Sequence, residues 1–162
     1  MPIELYRIDD RLVHGQVVVG WGQPLDVTFV VLVDDVIATS EWEQELYRMG
    51  APPEMKVTFE TVDSAIAHLA DYQSQTAHGI LLAGDVDTMR RFVERAGTVH
   101  QLNLGGIHHR AGRTARLRYV FLTPQEEASL RELAATGVTI TAQDVPSATP
   151  VPLEEVLAGT GE

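Results

Sequence analysis

The sequence predicts an α/β fold in which a single open, mostly parallel β-sheet carries helices on both faces. Short apolar runs alternate with amphipathic stretches along the whole chain, the rhythm of strands joined by right-handed helical crossovers. The run from Val27 to Asp34 is continuously β-branched or apolar up to its closing acid, as a strand covered on both faces must be. Helix start and stop signals fall between the runs. With 162 residues and 44% hydrophobic content the chain has material for one core, so residues 1–162 are read as a single domain.

In order, Ile3 to Arg7 reads as a strand, and Gln16 to Trp21 as a short helix stopped by Gly22 and Pro24. After the strand ending at Asp34, Ser40-Glu41-Trp42-Glu43 has the form of a capping box, which opens a helix over 41–49 that Gly50 and Pro52-Pro53 end. Lys56 to Phe59 is the next strand, and Val62 to Ala70 a helix with Thr61 or Asp63 near its start. Gly79 to Ala83 is a buried strand, Gly84-Asp85 a loop, and Thr88 to Ala96 a helix. His100 to Leu104 and Tyr119 to Leu122 read as strands. Thr123, Pro124 and Glu126 supply an N-cap, a first-turn proline and a capping glutamate for a helix running to about Thr136, with Gly137 just beyond it. Val138 to Ala142 is a last strand, Leu153 to Leu157 a final short helix, and Thr160 to Glu162 a tail expected to fray.

Composition removes several function classes. A net charge of −11 opposes nucleic acid, whose phosphates demand a basic face. No apolar run approaches the roughly 20 residues that span a bilayer, and no charged-then-apolar leader opens the chain, so a soluble, cytoplasmic protein is expected. The absence of cysteine excludes a disulfide framework, a thiolate nucleophile and cysteine-held zinc. His100, His108 and His109 with Asp85 lack metal-ligand spacing, and no metal is expected. The stretch from Gly105 to Gly112-Arg113-Thr114 lacks the spacing and lysine of a nucleotide-binding loop. His68 and His78 read as ordinary surface or core residues, and Trp21 and Trp42 as packing residues.

Chemistry concentrates in Arg7-Ile8-Asp9-Asp10-Arg11-Leu12-Val13-His14-Gly15-Gln16-Val17. It joins the first strand to the first helix, where open α/β sheets bind ligands and where a helix offers unpaired N–H groups to an anion. His14 is the candidate phosphoryl-accepting nucleophile, since a neutral imidazole is nucleophilic near pH 7. Arg11 is the first choice for the transferring phosphate and Arg7 the second, because a guanidinium forks onto phosphate oxygens and keeps its charge. Asp9 or Asp10 has two possible tasks, fixing the imidazole tautomer or neutralising Arg7. Gly15 relieves crowding at the helix entrance, and its N–H and that of Gln16 face the anion. Gly105-Gly106 is a tight turn that also lets backbone approach the phosphohistidine. Arg110, Arg113, Arg116 and Arg118, with no acid between them, form a local reversal of charge that reads either as a solvated loop or as a patch that docks a partner or faces phosphate.

That string resembles the active-site loop of the IIB subunits of the mannose/fructose/sorbose class of the bacterial sugar phosphotransferase system (PTS). Asn103-Leu104-Gly105-Gly106-Ile107, Arg110 with Gly112-Arg113-Thr114, and Leu133, Gly137-Val138, Gln143 and Val145-Pro146 fall where the family has similar pieces. Asp34-Asp35 departs from the family's Asn-Asp. The resemblance implies that His14 is phosphorylated at Nδ1 by a phosphohistidine on a IIA protein or domain and passes the group to a sugar of the mannose/fructose/sorbose class carried by membrane IIC and IID subunits. It implies no cofactor, a cytoplasmic site peripherally associated with the permease subunits, and is compatible with a homo-oligomer. The rival expectation is a phosphorylatable regulator with the same fold, uncoupled from transport.

Overall fold

The computed structural model describes residues 2–161, with Gln16 described by its backbone alone; Met1 and Glu162 lie outside the described residues. In chain order the strands are β1 (Ile3–Ile8), β2 (Val27–Val33), β3 (Lys56–Glu60), β4 (His78–Ala83), β5 (Gln101–Leu104), β6 (Thr114–Leu117), β7 (Val120–Leu122), β8 (Thr139–Ala142) and β9 (Val151–Pro152). The helices are α1 (Gly15–Gly22), α2 (Glu41–Met49), α3 (Val62–Gln73), α4 (Val86–Ala96), α5 (Pro124–Ala135) and α6 (Leu153–Leu157), with a 3-10 turn at Ile37–Thr39. The main sheet has seven strands in the order β3-β2-β4-β1-β5-β8-β9. Every pairing in it is parallel except that of β8 with β9.

Side-chain alternation along β2 shows why both faces need cover. Phe29, Val31 and Val33 join Val62 and Leu69 of α3 and Met89 and Phe92 of α4 in one core. Val30 and Leu32 point the other way, onto Val17, Val18 and Trp21 of α1. Each such large apolar side chain, taken out of water, contributes about 1.5–3 kcal/mol. β1 lies at the centre of this two-sided sheet, and the loop after it stands at the carboxyl edge.

Most start signals act as read. Thr123 Oγ1 accepts the Glu126 N–H at 3.0 Å while Glu126 Oε1 accepts the Thr123 N–H at 2.9 Å, closing a capping box on α5. Thr61 and Ser64 close another on α3, and Asp85 accepts the Thr88 N–H at 2.7 Å, so α4 begins at Val86. Ser40 differs. Its side chain makes no cap bond, and its N–H, which a capping box would give to Glu43, is already engaged on Ile37 O by the preceding 3-10 turn.

The other corrections concern the chain after β5. The stretch read as a loop of arginines contains β6, and β7 pairs antiparallel with β6 in a separate ribbon instead of entering the parallel sheet. A two-residue turn at 118–119 joins them, far too short for a parallel crossover. β9 adds an antiparallel edge, and at the tail the Gly161 N–H bonds Arg116 O at 3.1 Å. Asp34, the departure from the family pattern, accepts the Val36 and Ile37 N–H groups through Oδ1 alone at 2.9 Å each, a task that an asparagine oxygen performs equally.

Candidate functional site

β1 ends between β4 and β5, and the loop that follows is tied to both. Asp9 N–H donates to Ala83 O at 3.0 Å, and Asp10 N–H to Gly106 O at 2.8 Å. Asp10 then grips the β5 loop again, accepting the His108 N–H at 2.7 Å and lying 2.6 Å from His108 Nδ1. The chain turns back through Leu12 N–H to Asp9 O at 3.0 Å and His14 N–H to Leu12 O at 2.8 Å. Leu12 takes the left-handed region at φ 56, a strained conformation for a branched side chain, and is held there by burial against Gly84. His14 is the residue at which the loop becomes helix. Its carbonyl accepts the Val17 and Val18 N–H groups at 2.9 Å each, and its side chain is exposed.

Beneath this loop lies a buried charge cluster. Arg7 and Asp9 side chains are both fully buried, 3.1 Å apart at Nη2 and Oδ2. All five guanidinium N–H groups of Arg7 are committed. Nε and Nη2 go to Asp9 Oδ2, Nη1 to Asn103 Oδ1 and Gln143 O, and Nη2 again to Asp144 O. Its flat face lies 4.6 Å from the centroid of the Trp21 ring. Burial pulls the Arg7 pKa down from its ordinary value while the charge of Asp9 opposes the change. Arg7 is thus a strut linking β1, β5 and the 143–144 loop, and the expectation that it meets the transferring phosphate is corrected: it has neither exposure nor a spare donor.

Arg11 sits above the strut. It takes both oxygens of Asp9, Nε to Oδ1 at 2.9 Å and Nη2 to Oδ2 at 2.8 Å, and its side chain keeps 25% exposure. Asp144 Oδ1 stands 3.6 Å from Nη2. Burial alone raises the Asp9 pKa, but the Arg11 hydrogen bonds and the charges of Arg7 and Arg11 outweigh it and hold the carboxyl below its ordinary value. Asp9 therefore neutralises Arg7 and orients Arg11, while Asp10 is spent on His108.

The glycines acquire different roles from those expected. A Cβ on Gly105 would fall 2.5 Å from Arg7 Cζ and from Asp9 Oδ2, so this glycine makes room for the ion pair. A Cβ on Gly15 would meet nothing within 4 Å, so the helix entrance is not crowded; the open space belongs to the cleft outside. That cleft, of about 570 Å³, is walled by Arg11, Val13, His14 and Gly15 on one side and by Trp42, Leu46 and Tyr47 of α2 on the other. Gly50 closes its base, where a Cβ would stand 2.6 Å from Val13 O.

The arginine cluster is largely neutralised. Arg113 has a side chain only 7% exposed and forks onto Glu126 at 3.0 and 2.9 Å. Arg116 pairs with Glu127 at 2.8 Å. Arg110 and Arg118 remain exposed. The expected docking patch of Arg110, Arg113 and Arg116 is therefore corrected: two of the three brace β6 against α5. Trp42, expected to pack, is 68% exposed. The sequence reading missed Asp144 and the Asp10–His108 clip, and it gave no role to Asn103, although a polar residue between Leu102 and Leu104 in a buried strand demands a partner.

Comparison with known proteins places this geometry. The family model of the PTS system sorbose subfamily IIB component matches residues 3–161. The chain is 35% identical over 143 residues to the sorbose-specific EIIB component of Klebsiella pneumoniae, covering 86% of this chain and 85% of that one. It is 33% identical over 150 residues to the N-acetylgalactosamine-specific IIB component 1 of Escherichia coli, covering 89% and 91%. The crystal structure of the IIBSor domain of the K. pneumoniae sorbose permease superposes with a TM-score of 0.88 at 31% identity over 98% of both chains. With nearly its whole length matched by the family model and its fold superposing over 98% of both chains, the chain belongs to the sorbose subfamily of PTS IIB components.

Proposed function

We propose that His14 is the phosphoryl carrier of this IIB component, taking the group from a phosphohistidine on a IIA protein or domain and passing it to a sugar held by membrane IIC and IID subunits. The observation that carries this is the position of His14: exposed, at the first turn of α1, on the carboxyl edge of the central strand, with Arg11 lining the same cleft. In the first transfer the N–P bond to the donor imidazole breaks as a bond to a His14 ring nitrogen forms, so one imidazole replaces another and no further reactant enters. In the second, the His14 N–P bond breaks as a sugar hydroxyl oxygen bonds the phosphorus, and the hydroxyl proton passes to water or to the imidazole left behind.

Positioning and charge do most of the work of such a transfer. Arg11 meets the equatorial oxygens, and Asp9 holds the guanidinium in place. The N–H groups of Gly15 and Gln16 open α1 ahead of its hydrogen-bond ladder, and their partial positive charge favours the anion. Arg7 acts at a distance, as a positioning residue. The sorbose-specific name of one relative supports a sugar of the mannose/fructose/sorbose class. No described helix is long and apolar enough to cross a membrane, which fits a subunit working on the cytoplasmic face of its permease.

The test supplies phosphorylated protein with candidate sugars, with and without membranes bearing the partner subunits. Sugar phosphate is expected only with membranes. Its formation without them would contradict the carrier role, and its absence with matching membranes would favour a regulator.

A further inference from the structure

The guanidinium of Arg11 has two edges, and they are used differently. Nε and Nη2 fork onto Asp9 at 2.9 and 2.8 Å, which leaves Nη1 and the second N–H of Nη2 as the edge that can fork onto phosphate oxygens. No group among the described residues hydrogen-bonds Nη1. A second carboxylate stands beside that edge. Asp144 Oδ1 lies 3.6 Å from Nη2, too far for a hydrogen bond but within reach of the charge, and its side chain is 42% exposed. The backbone of Asp144 is fixed: its carbonyl accepts Arg7 Nη2 at 3.1 Å, and Gln143 Nε2 closes the loop on Ala148 O at 2.8 Å. Asp144 also shares a second cleft, of about 590 Å³, with Arg11 and Gly15. The buried strut thus sets two carboxylates on one guanidinium, Asp9 held on both oxygens and Asp144 held only through its backbone.

We infer that Asp144 is a displaceable counter-ion of Arg11, a positioning residue that sets how tightly His14 holds its phosphoryl group; the inference rests on the carrier role of His14. A phosphoryl group on His14 can fork onto Arg11 only at the outer edge, and there its oxygens meet the charge of Asp144. As the N–P bond to His14 forms, the phosphoryl oxygens take the N–H groups of Nη1 and Nη2, and the Asp144 carboxylate turns to water. No bond to Asp144 is made or broken, and no proton moves. Asp9 cannot play this part, since it is buried and engaged on both oxygens. A competing carboxylate weakens the grip of Arg11 on the phosphoryl group, so the phosphohistidine releases it more readily. A carrier needs that release as much as it needs acceptance.

The test mixes the protein with phosphorylated IIA and measures the equilibrium constant for transfer to His14, a quantity into which docking rates do not enter. Asp144→Asn keeps the carbonyl that Arg7 holds, and circular dichroism checks its fold. In this variant the constant is expected to rise by roughly two- to fivefold, the range that a partly exposed ion pair supports. Asp144→Glu, which keeps the charge, should stay nearer to wild type. In an Arg11→Ala background the same Asn substitution should shift the constant less, as it must if the two residues are coupled. An unchanged or lowered constant in Asp144→Asn would overturn the inference. So would an equal rise in both backgrounds, which would mean plain charge repulsion, or a Glu variant that shifts as far as the Asn one. Wild type that no phospho-IIA labels would instead overturn the carrier role itself, and with it this inference.

Discussion

Arg7 and Asp9, two residues apart at the end of the central strand, form an ion pair 3.1 Å long with no solvent exposure on either side chain. Such a pair is seldom a source of net stability, because removing both charges from water costs several kcal/mol each. Its geometry is what matters here. The same carboxylate that neutralises Arg7 below holds Arg11 above, so the buried pair sets the position of the exposed cation.

Removing one partner leaves a buried charge uncompensated. Asp9→Asn is expected to lower unfolding stability by about 3–5 kcal/mol. Urea unfolding followed by circular dichroism measures it, and a loss below about 1 kcal/mol would mean that Arg7 finds water or another anion.

Two glycines should behave oppositely. Gly105→Ala forces a methyl group onto the Arg7–Asp9 pair and should cost about 1–3 kcal/mol. Gly15→Ala meets no atom within 4 Å and lies in α1, so stability should hold or rise by up to about 1 kcal/mol. Phosphoryl transfer should nevertheless slow in Gly15→Ala, because the methyl group stands in the cleft. Thermal melts together with transfer kinetics separate the two effects.

Arg11→Ala removes charge-assisted hydrogen bonds typically worth about 1.5–3 kcal/mol, so transfer to His14 should slow by roughly one to two orders of magnitude. Arg11→Lys should restore only part, since an ammonium cannot take both oxygens of Asp9 in a fork. Stopped-flow transfer from phospho-IIA is the measurement. Rates within about twofold of wild type would return Arg11 to a structural role.

Acid stability follows from Asp9. Its folded pKa lies below the ordinary value of 3.8, so its contribution is fully present above pH 3.8 and is lost as the pH falls through the folded pKa. In Arg11→Ala the Asp9 pKa moves up, and the acid-unfolding midpoint should move to higher pH. An unchanged midpoint would show that Arg7 alone sets the Asp9 carboxyl.

Most of the scaffold was legible because its signals are local. A β-branched run such as Val27–Val33 has one good solution, and Thr123-Pro124-Gln125-Glu126 specifies a helix start in four residues. β7 was legible as a strand but β6 was not, because its arginines read as loop charge, although Ala115 and Leu117 alternate with Arg116 and Arg118 at strand period. The site was legible as a segment but not as an arrangement. Whether Arg7 faces phosphate or core depends on Asn103, Gln143 and Asp144, 96 to 137 residues away in the chain, and no local pattern reports that. Ion pairs between Arg113 and Glu126 and between Arg116 and Glu127 were equally hidden, since a run of arginines reads as free charge until the facing helix is known.

The central claim is that His14 carries the phosphoryl group. Incubating the protein with phosphorylated IIA and mapping the acid-labile phosphate by mass spectrometry tests it most directly. Modification of His14 alone, with no label on His14→Ala, is the expected result. Phosphate on His100, His108 or His109, or full labelling of His14→Ala, would contradict it.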